Sequence, residues 1–225
     1  MATDNTSANP QFSVIMIVND NARELEENLP AFLQQEYEPG YEVIVIDETS
    51  TDDTSDVLKL LKNDYPHLYS TFLPKPSIDV TRKKFAFNLG LKAAKNEWVI
   101  FTNVSMRPES TDILKAISET MDQQTELTLG YIGKKDIRLQ PFTSYQEARS
   151  HILKSERKLK KVREYHQMNY TWGRYNFIII RKDLAYELLK LYEQRISAFR
   201  LAVLRMSILW SNFIRRSSTT LLTME

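Results

Sequence analysis

Polar side chains that could bind a ligand follow each of three apolar runs in the sequence. Asn19 follows the first run, Asp47 and Glu48 follow the second, and Asn103 and Ser105 follow the third. Carboxylates accept hydrogen bonds and hold hard divalent cations, whereas amide and hydroxyl oxygens carry no charge. The third group has no carboxylate, so it predicts a poor site for Mg²⁺ or Mn²⁺.

Composition excludes several other kinds of chemistry. The chain has 225 residues and no cysteine, which excludes disulfides, thiolate metal sites and a cysteine nucleophile. Its histidines show no metal-ligand spacing, and no Gly-rich phosphate loop occurs. No run approaches the roughly 18 apolar residues that cross a membrane, and no signal peptide is recognisable. We therefore expect a cytoplasmic protein, with a peripheral position at the inner face of the cell membrane left open.

Charge is unevenly distributed, although the net charge is only +1. Residues 1–65 hold 14 acidic and three basic side chains, whereas residues 149–163 hold seven basic side chains and one glutamate. Residues 195–216 hold five arginines and no acid. A nucleic-acid-binding protein would present one continuous basic surface, so this distribution argues against that class. It favours a protein with one anion-binding or membrane-facing end.

The three apolar runs predict buried strands, and the helical spacing between them predicts intervening helices. The runs are Phe12–Val18, Val43–Ile46 and Trp98–Phe101. This alternation predicts an α/β fold with a mostly parallel sheet flanked by helices. Because parallel strands end at one edge of a sheet, we expect the three polar groups to converge there. Weaker strands are expected at Tyr69–Leu73, Leu127–Ile132 and Asn176–Arg181.

Two helices near the polar groups can be placed in more detail. Asp52 and Asp53 are suitable N-cap and first-turn residues for the helix after the second strand. Phe85, Leu89 and Ala93 recur on one face of the helix before the third strand, and we expect that face to be buried.

We expect three regions along the chain: a disordered tail over residues 1–11, an α/β domain over 12–194, and a basic amphipathic C-terminal helix and tail over 195–225. Between Ala198 and Ile214 the apolar side chains share one face of a helical wheel and the arginines lie on the other. Such a helix can lie on a membrane, pack on the sheet or join two copies into a homo-oligomer. The sequence leaves these alternatives open.

Four segments of the chain resemble the family 2 glycosyltransferases, which have the GT-A fold. SVIMIVNDN (13–21) resembles the opening strand and turn of that family, and VIVIDETSTDDT (43–54) resembles its second strand and loop. KKFAFNLGLKAAKNEWVIF (83–101) is similar to the segment that leads into the family's metal-binding strand. WGRYNFIIIRK (172–182) is more weakly similar to a loop and strand on the acceptor side. Together the likeness covers roughly residues 12 to 185.

The resemblance implies an inverting transfer of a sugar from a nucleotide-diphosphate sugar, in surface polysaccharide or glycolipid synthesis. It places the nucleoside against the first turn and the second-strand carboxylates, and basic side chains near the diphosphate. The matching nucleotide-binding positions are Ile17, Asn19, Asp47, Glu48, Lys83 and Lys84. Two structural alternatives stay open: Asp47 could cap the following turn, and the two lysines could lie on a solvated helix face.

The family holds Mg²⁺ or Mn²⁺ with an Asp-x-Asp motif, and the matching positions here are Asn103 and Ser105. Neither offers a negative charge, so no cofactor is assigned with certainty. The family also supplies a carboxylate as catalytic base, and at the matching distance Glu193 is the candidate. A solvated helix face is the alternative for this glutamate.

Trp172, Gly173 and Tyr175 match the acceptor side, where aromatic rings can stack on a sugar or simply pack. The basic segment 149–163 could meet a lipid-linked or membrane acceptor, or form a solvated helix. Three functions follow: a transferase without a conventional metal site, an inactive binding or scaffolding protein of the same fold, and, more remotely, a nucleotidyltransferase.

Overall fold

The computed structural model describes residues 9–73, 79–132, 137–151, 154 and 177–193. Strands and helices alternate through most of this part of the chain. The strands are β1 (Phe12–Val18), β2 (Tyr41–Asp47), β3 (Leu68–Phe72), β4 (Trp98–Thr102), β5 (Leu127–Ile132), β6 (Ile137–Phe142) and β7 (Phe177–Arg181). The helices are α1 (Ala22–Leu33), α2 (Thr54–Asp64), α3 (Asp79–Ala93), α4 (Ile113–Thr120), α5 (described over 145–151) and α6 (Lys182–Glu193).

The strands form one seven-stranded sheet in the order β3-β2-β1-β4-β7-β5-β6. The first four strands of this order are paired in parallel. The other three pairings, β4 with β7, β7 with β5 and β5 with β6, are antiparallel. The predicted α/β fold class is confirmed: a parallel core carries an antiparallel extension on one side.

Helices cover both faces of the sheet, which explains why its central strands are almost wholly apolar. α1, α2 and α4 pack on the face that carries Val14 and Val45. α3, α5 and α6 pack on the opposite face, which carries Ile15 and Ile44. Successive strand residues point to opposite faces, so a register shift of one residue would exchange the two buried sets. The register, and with it the position of each strand end, is therefore strongly specified.

The predicted buried face of α3 is wrong at Phe85, whose side chain is 50% exposed. Ala86, Gly90 and Leu91 are buried instead. A Cβ atom on Gly90 would lie only 2.7 Å from Cγ2 of Ile15 in the sheet. The helix thus approaches the sheet so closely that its rotation is set by the smallest residue rather than by the largest apolar one.

The weaker strands β3, β5 and β7 lie within one residue of their predicted positions at either end. The sequence did not predict α4, which is short, or β6, which is largely exposed. β6 also contains Pro141, a residue that is tolerated in edge strands. The described part of the chain holds no helix long and apolar enough to cross a membrane. Predictions for residues 1–8, for the loop at Trp172–Tyr175 and for the C-terminal segment 195–225 lie outside the described residues.

We predict that Gly90→Ala lowers the free energy of unfolding by about 1–3 kcal/mol, because the added methyl group overpacks the contact with Ile15. Urea unfolding followed by circular dichroism measures the change. Lys92→Ala, at an exposed position of the same helix, is the matched control and should change the value by less than about 0.5 kcal/mol. Equal stability of Gly90→Ala and the unaltered protein would contradict the close approach.

Candidate functional site

β1, β2 and β4 end together at one edge of the sheet, as the sequence predicted. Parallel pairing aligns Val18 with Asp47 and Met16 with Thr102. The turns after the three strands therefore lie side by side. We call this edge the rim, defined by residues 19–21, 47–52 and 103–106.

The turns after β1 and β2 are tied to each other by hydrogen bonds. Nδ2 of Asn19 donates to the carbonyl oxygen of Glu48 at 3.1 Å. The backbone N–H of Asp20 donates to Oγ of Ser50 at 2.8 Å. In the opposite direction, the backbone N–H of Thr51 donates to Oδ1 of Asp20 at 2.6 Å. These two turns of the rim therefore form a single hydrogen-bonded unit.

Each of these turns holds one non-glycine residue in the left-handed region, Asp20 with φ of 52° and Thr49 with φ of 68°. Aspartate tolerates this conformation, whereas a residue branched at Cβ rarely adopts it, at a cost of about 1–2 kcal/mol. Such strain persists only where neighbouring contacts over-determine the backbone. The hydrogen bonds that Asp20 makes with Ser50 and Thr51, the two residues after Thr49, supply those contacts.

Asp47 is the buried carboxylate of the rim, with 8% of its surface exposed. Its Oδ1 accepts hydrogen bonds from the backbone N–H of Ser50 at 2.8 Å and from its Oγ at 2.7 Å. Among the described residues, the side-chain hydrogen bonds of Asp47 all end on this one oxygen. Oδ1 of Asp47 thus caps the following turn, which is the structural alternative that the sequence left open. A role for Asp47 in ligand binding stays a prediction, and it would involve Oδ2.

Asp52 caps two helices at once. Its Oδ2 accepts from the backbone N–H of Ala22, the first residue of α1, at 2.9 Å, and its Oδ1 accepts from that of Thr54, the first residue of α2, at 3.1 Å. Partial burial opposes ionisation, but the hydrogen bonds from Thr54 and Ala22 outweigh it, so the pKa of Asp52 lies below its ordinary value. Asp53 occupies the N-cap position of α2 without a side-chain cap hydrogen bond.

The turn after β4 is closed on itself. Oδ1 of Asn103 accepts from the backbone N–H of Ser105 at 2.8 Å, and the carbonyl oxygen of Asn103 accepts from the N–H of Met106 at 3.2 Å. Val104 between them is buried, and Nδ2 of Asn28 in α1 donates to its carbonyl oxygen at 2.9 Å. The core and α1 therefore anchor this turn. The side-chain oxygen of Asn103 already accepts a hydrogen bond from within the turn.

These residues do not fit a divalent cation. The Asn103 oxygen is engaged within its own turn, and Ser105 offers a neutral hydroxyl. Within the described ranges, no group of three or more His, Asp or Glu side chains is arranged to hold a metal ion. Mg²⁺ and Mn²⁺ prefer charged oxygen ligands, which this turn does not supply.

The other predicted site residues within the described ranges lie on β1, α3 and α6. Ile17 is half-buried near the end of β1. Lys83 and Lys84 lie in the first half of α3, which begins beyond the end of β3, and Glu193 is the last residue of α6. The structure describes the backbone at these last three positions and not the side chains. The predicted acceptor residues Trp172, Gly173 and Tyr175 lie outside the described residues.

Sequence reasoning missed Ser50 and Asn28. Ser50 lies three residues after Asp47, and at this spacing a carboxylate commonly accepts a hydrogen bond from a backbone N–H. This spacing could have indicated the contact. Asn28 holds a carbonyl oxygen 76 positions further along the chain. No local pattern announces such a contact, because it depends on how α1 packs against the turn after β4.

Comparisons with known proteins identify the family and the fold of the chain. The model of glycosyl transferase family 2 matches residues 13–189. The crystal structure of S. aureus TarS 1–349 shares 18% sequence identity and a TM-score of 0.51, over 79% of this chain and 48% of the other. A Pyrobaculum calidifontis mannosyltransferase, solved with GDP-Man and Mn²⁺, shares 24% identity and a TM-score of 0.45, over 54% of this chain and 35% of the other. No curated protein matches the chain.

The likeness to TarS concerns the fold, which is the GT-A fold expected from the resemblance. TarS 1–349 was also solved with UDP-GlcNAc, and that structure shares 22% identity and a TM-score of 0.45 over 57% of this chain and 37% of the other. The chain spans about half or less of the length of these solved structures.

We predict that Asp52→Ala lowers the free energy of unfolding at pH 7 by about 1–2 kcal/mol, because α1 and α2 both lose their cap. Since the pKa of Asp52 is lower in the folded than in the unfolded state, this stabilisation is present at neutral pH and is lost as the pH falls below about 4. Urea unfolding at pH 7 and pH 3 measures both effects.

Asp53→Ala is the matched control, because this neighbouring carboxylate makes no side-chain cap hydrogen bond. It should change the free energy of unfolding by less than about 0.5 kcal/mol at either pH. A loss for Asp52→Ala that is the same at pH 7 and pH 3, or that equals the loss for Asp53→Ala, would rule out the double cap.

Proposed function

The chain belongs to glycosyl transferase family 2, and we propose that it transfers a sugar from a nucleotide-diphosphate donor, with inversion, without a conventional divalent-metal site. The observation that carries this proposal is the buried carboxylate of Asp47, held by Ser50 at the rim. A carboxylate at this place can accept a hydrogen bond from a ring N–H or a ribose hydroxyl of the nucleoside. Ile17, Asn19 and Glu48 complete the proposed nucleoside contact.

Inverting transfer requires a hydroxyl of the acceptor to attack the anomeric carbon while the bond from that carbon to the diphosphate oxygen breaks. The hydroxyl proton passes to a carboxylate, and Glu193 at the end of α6 is the candidate base. Lys83 and Lys84, in the first half of α3, are proposed to stabilise the charge of the leaving diphosphate. This assignment uses side chains of the chain itself in place of the family's cation.

The acceptor side is proposed from sequence alone. Trp172, Gly173 and Tyr175 would contact an acceptor in surface polysaccharide or glycolipid synthesis. The basic segments 149–163 and 195–216 would hold the protein at the anionic inner face of the cell membrane, near a lipid-linked acceptor. The amphipathic segment is the proposed contact if the protein forms a homo-oligomer.

A second candidate function is a catalytically inactive binding or scaffolding protein of the same family. The observation that favours it is the closed turn after β4, where the Asn103 oxygen is engaged by Ser105 and no carboxylate is present. A fold can keep its ligand-binding turns after the chemistry is lost. Nucleotide binding and transfer must therefore be measured separately.

We predict that the protein binds UDP or GDP with a Kd of about 10⁻⁵ M in the presence of EDTA, and that Mn²⁺ changes this value by less than about threefold. Isothermal titration calorimetry measures the affinity, and release of UDP or GDP from the corresponding sugar donors measures transfer or hydrolysis. These two nucleotides are the probes because TarS 1–349 was also solved with UDP and the Pyrobaculum calidifontis mannosyltransferase with GDP-Man.

Absence of binding with and without Mn²⁺ removes the transferase proposal and leaves the scaffolding protein. A gain of tenfold or more with Mn²⁺ contradicts the metal-free site. Asp47→Ala should weaken nucleotide binding by at least about tenfold, because it removes the charged acceptor. Asp53→Ala, an exposed carboxylate six residues away, is the control and should bind as the unaltered protein does.

The double variant Asn103→Asp, Ser105→Asp should bind Mn²⁺ at least about tenfold more tightly than the unaltered protein, because it restores two charged oxygen ligands at the rim. The aspartate at position 103 can still accept from the N–H of residue 105, so the turn should be kept. Electron paramagnetic resonance of free Mn²⁺ measures the affinity. Equal Mn²⁺ affinity of the two proteins would show that the turn after β4 is not what limits metal binding.

A further inference from the structure

A short chain of hydrogen bonds connects the turn after β1 to the buried carboxylate after β2, and it runs through Ser50. The backbone N–H of Asp20 donates to Oγ of Ser50 at 2.8 Å, and this Oγ donates to Oδ1 of Asp47 at 2.7 Å. The backbone N–H of Ser50 reaches the same carboxylate oxygen at 2.8 Å. A single serine thus accepts from one turn and donates twice to the other.

This geometry depends on the left-handed backbone at Thr49, whose φ is 68°. Ser50 follows it directly, and both of its donors reach the same oxygen of Asp47. Asp20, the donor to Ser50, is also left-handed. One left-handed residue, Asp20, thus begins the hydrogen-bond chain, and the other, Thr49, directly precedes the serine at its middle.

A hydroxyl group is the side chain that this position requires. It accepts and donates through one atom, whereas an ammonium group only donates and an amide group accepts and donates through two different atoms. With Ser50 occupying Oδ1, the carboxylate of Asp47 cannot rotate without losing two hydrogen bonds. Rotational freedom lost in the unbound protein does not have to be lost again when a ligand binds.

We propose that Ser50 is a positioning residue for nucleotide binding: it fixes the carboxylate of Asp47 through Oδ1 so that Oδ2 accepts from the nucleoside. This inference rests on the proposed nucleotide-binding function of the rim. It adds that the turn after β1 acts on the nucleoside through Ser50, since the N–H of Asp20 orients the serine hydroxyl.

Three variants test the role of Ser50: Ser50→Ala, Ser50→Thr and the control Ser55→Ala. Ser55 is an exposed hydroxyl residue near the start of α2 and lies outside the rim. Affinities for UDP, GDP and inorganic pyrophosphate are measured by calorimetry, together with each melting temperature. Pyrophosphate lacks the nucleoside and reports on the diphosphate contact alone.

We expect Ser50→Ala to weaken binding of the preferred nucleotide by about five- to tenfold, which is within the range for one ordinary hydrogen bond. Ser50→Thr keeps the hydroxyl and should restore most of the affinity, and Ser55→Ala should bind as the unaltered protein does. Pyrophosphate affinity should be the same in all four proteins, because its contacts do not involve Asp47.

The outcomes separate this inference from the function on which it rests. If the unaltered protein binds neither nucleotide, both are overturned. If Asp47→Ala loses binding while Ser50→Ala keeps it, nucleotide binding stands and the role of Ser50 is overturned. A parallel loss of nucleotide affinity, pyrophosphate affinity and melting temperature in Ser50→Ala would mark a general structural role and would likewise overturn it.

Discussion

The parallel pairing of β1 with β2 and β4 is the constraint on which the rest of the molecule depends. It requires helices on both faces, because strands buried on both sides have no other way to exclude water. It also requires every polar group that follows these strands to lie at one edge. The buried isoleucines and valines therefore determine where the polar chemistry can be, although they take no part in it.

The two halves of the rim are built on different physical principles. After β1 and β2, carboxylates and hydroxyls bond across from one turn to the next, so the two turns hold each other. After β4, the turn bonds within itself and is fastened to the core by Val104. The first half thus holds the buried carboxylate of Asp47, whereas the second presents an amide oxygen that is already engaged and a neutral hydroxyl. Under the proposed function, the nucleoside contact would therefore use the first half of the rim without a ligand from the turn after β4.

Sequence patterns predicted the fold and the location of the rim, because both follow from apolar runs and their order. Asp47, Glu48 and Asn103 could be assigned to the rim for the same reason. The partners of these side chains could not be predicted: Ser50 acts through a left-handed residue beside it, and Asn28 reaches a turn 76 positions away. The face of α3 was mispredicted at Phe85, because close approach to Ile15 outweighed apolar size. Contacts made by backbone conformation and by distant packing leave little trace in local composition.

Helix α1 connects the two halves of the rim and has a fixed length between them. Its first residue, Ala22, is held by Asp52 in the turn after β2, and Asn28 on the same helix holds the turn after β4. Six residues of α-helix rise about 9 Å. The helix is thus a rigid link between the two turns, in addition to the pairing of β1 with β2 and β4 that places them side by side. A ligand that contacts both turns must therefore match a distance between them that is already fixed in the folded protein.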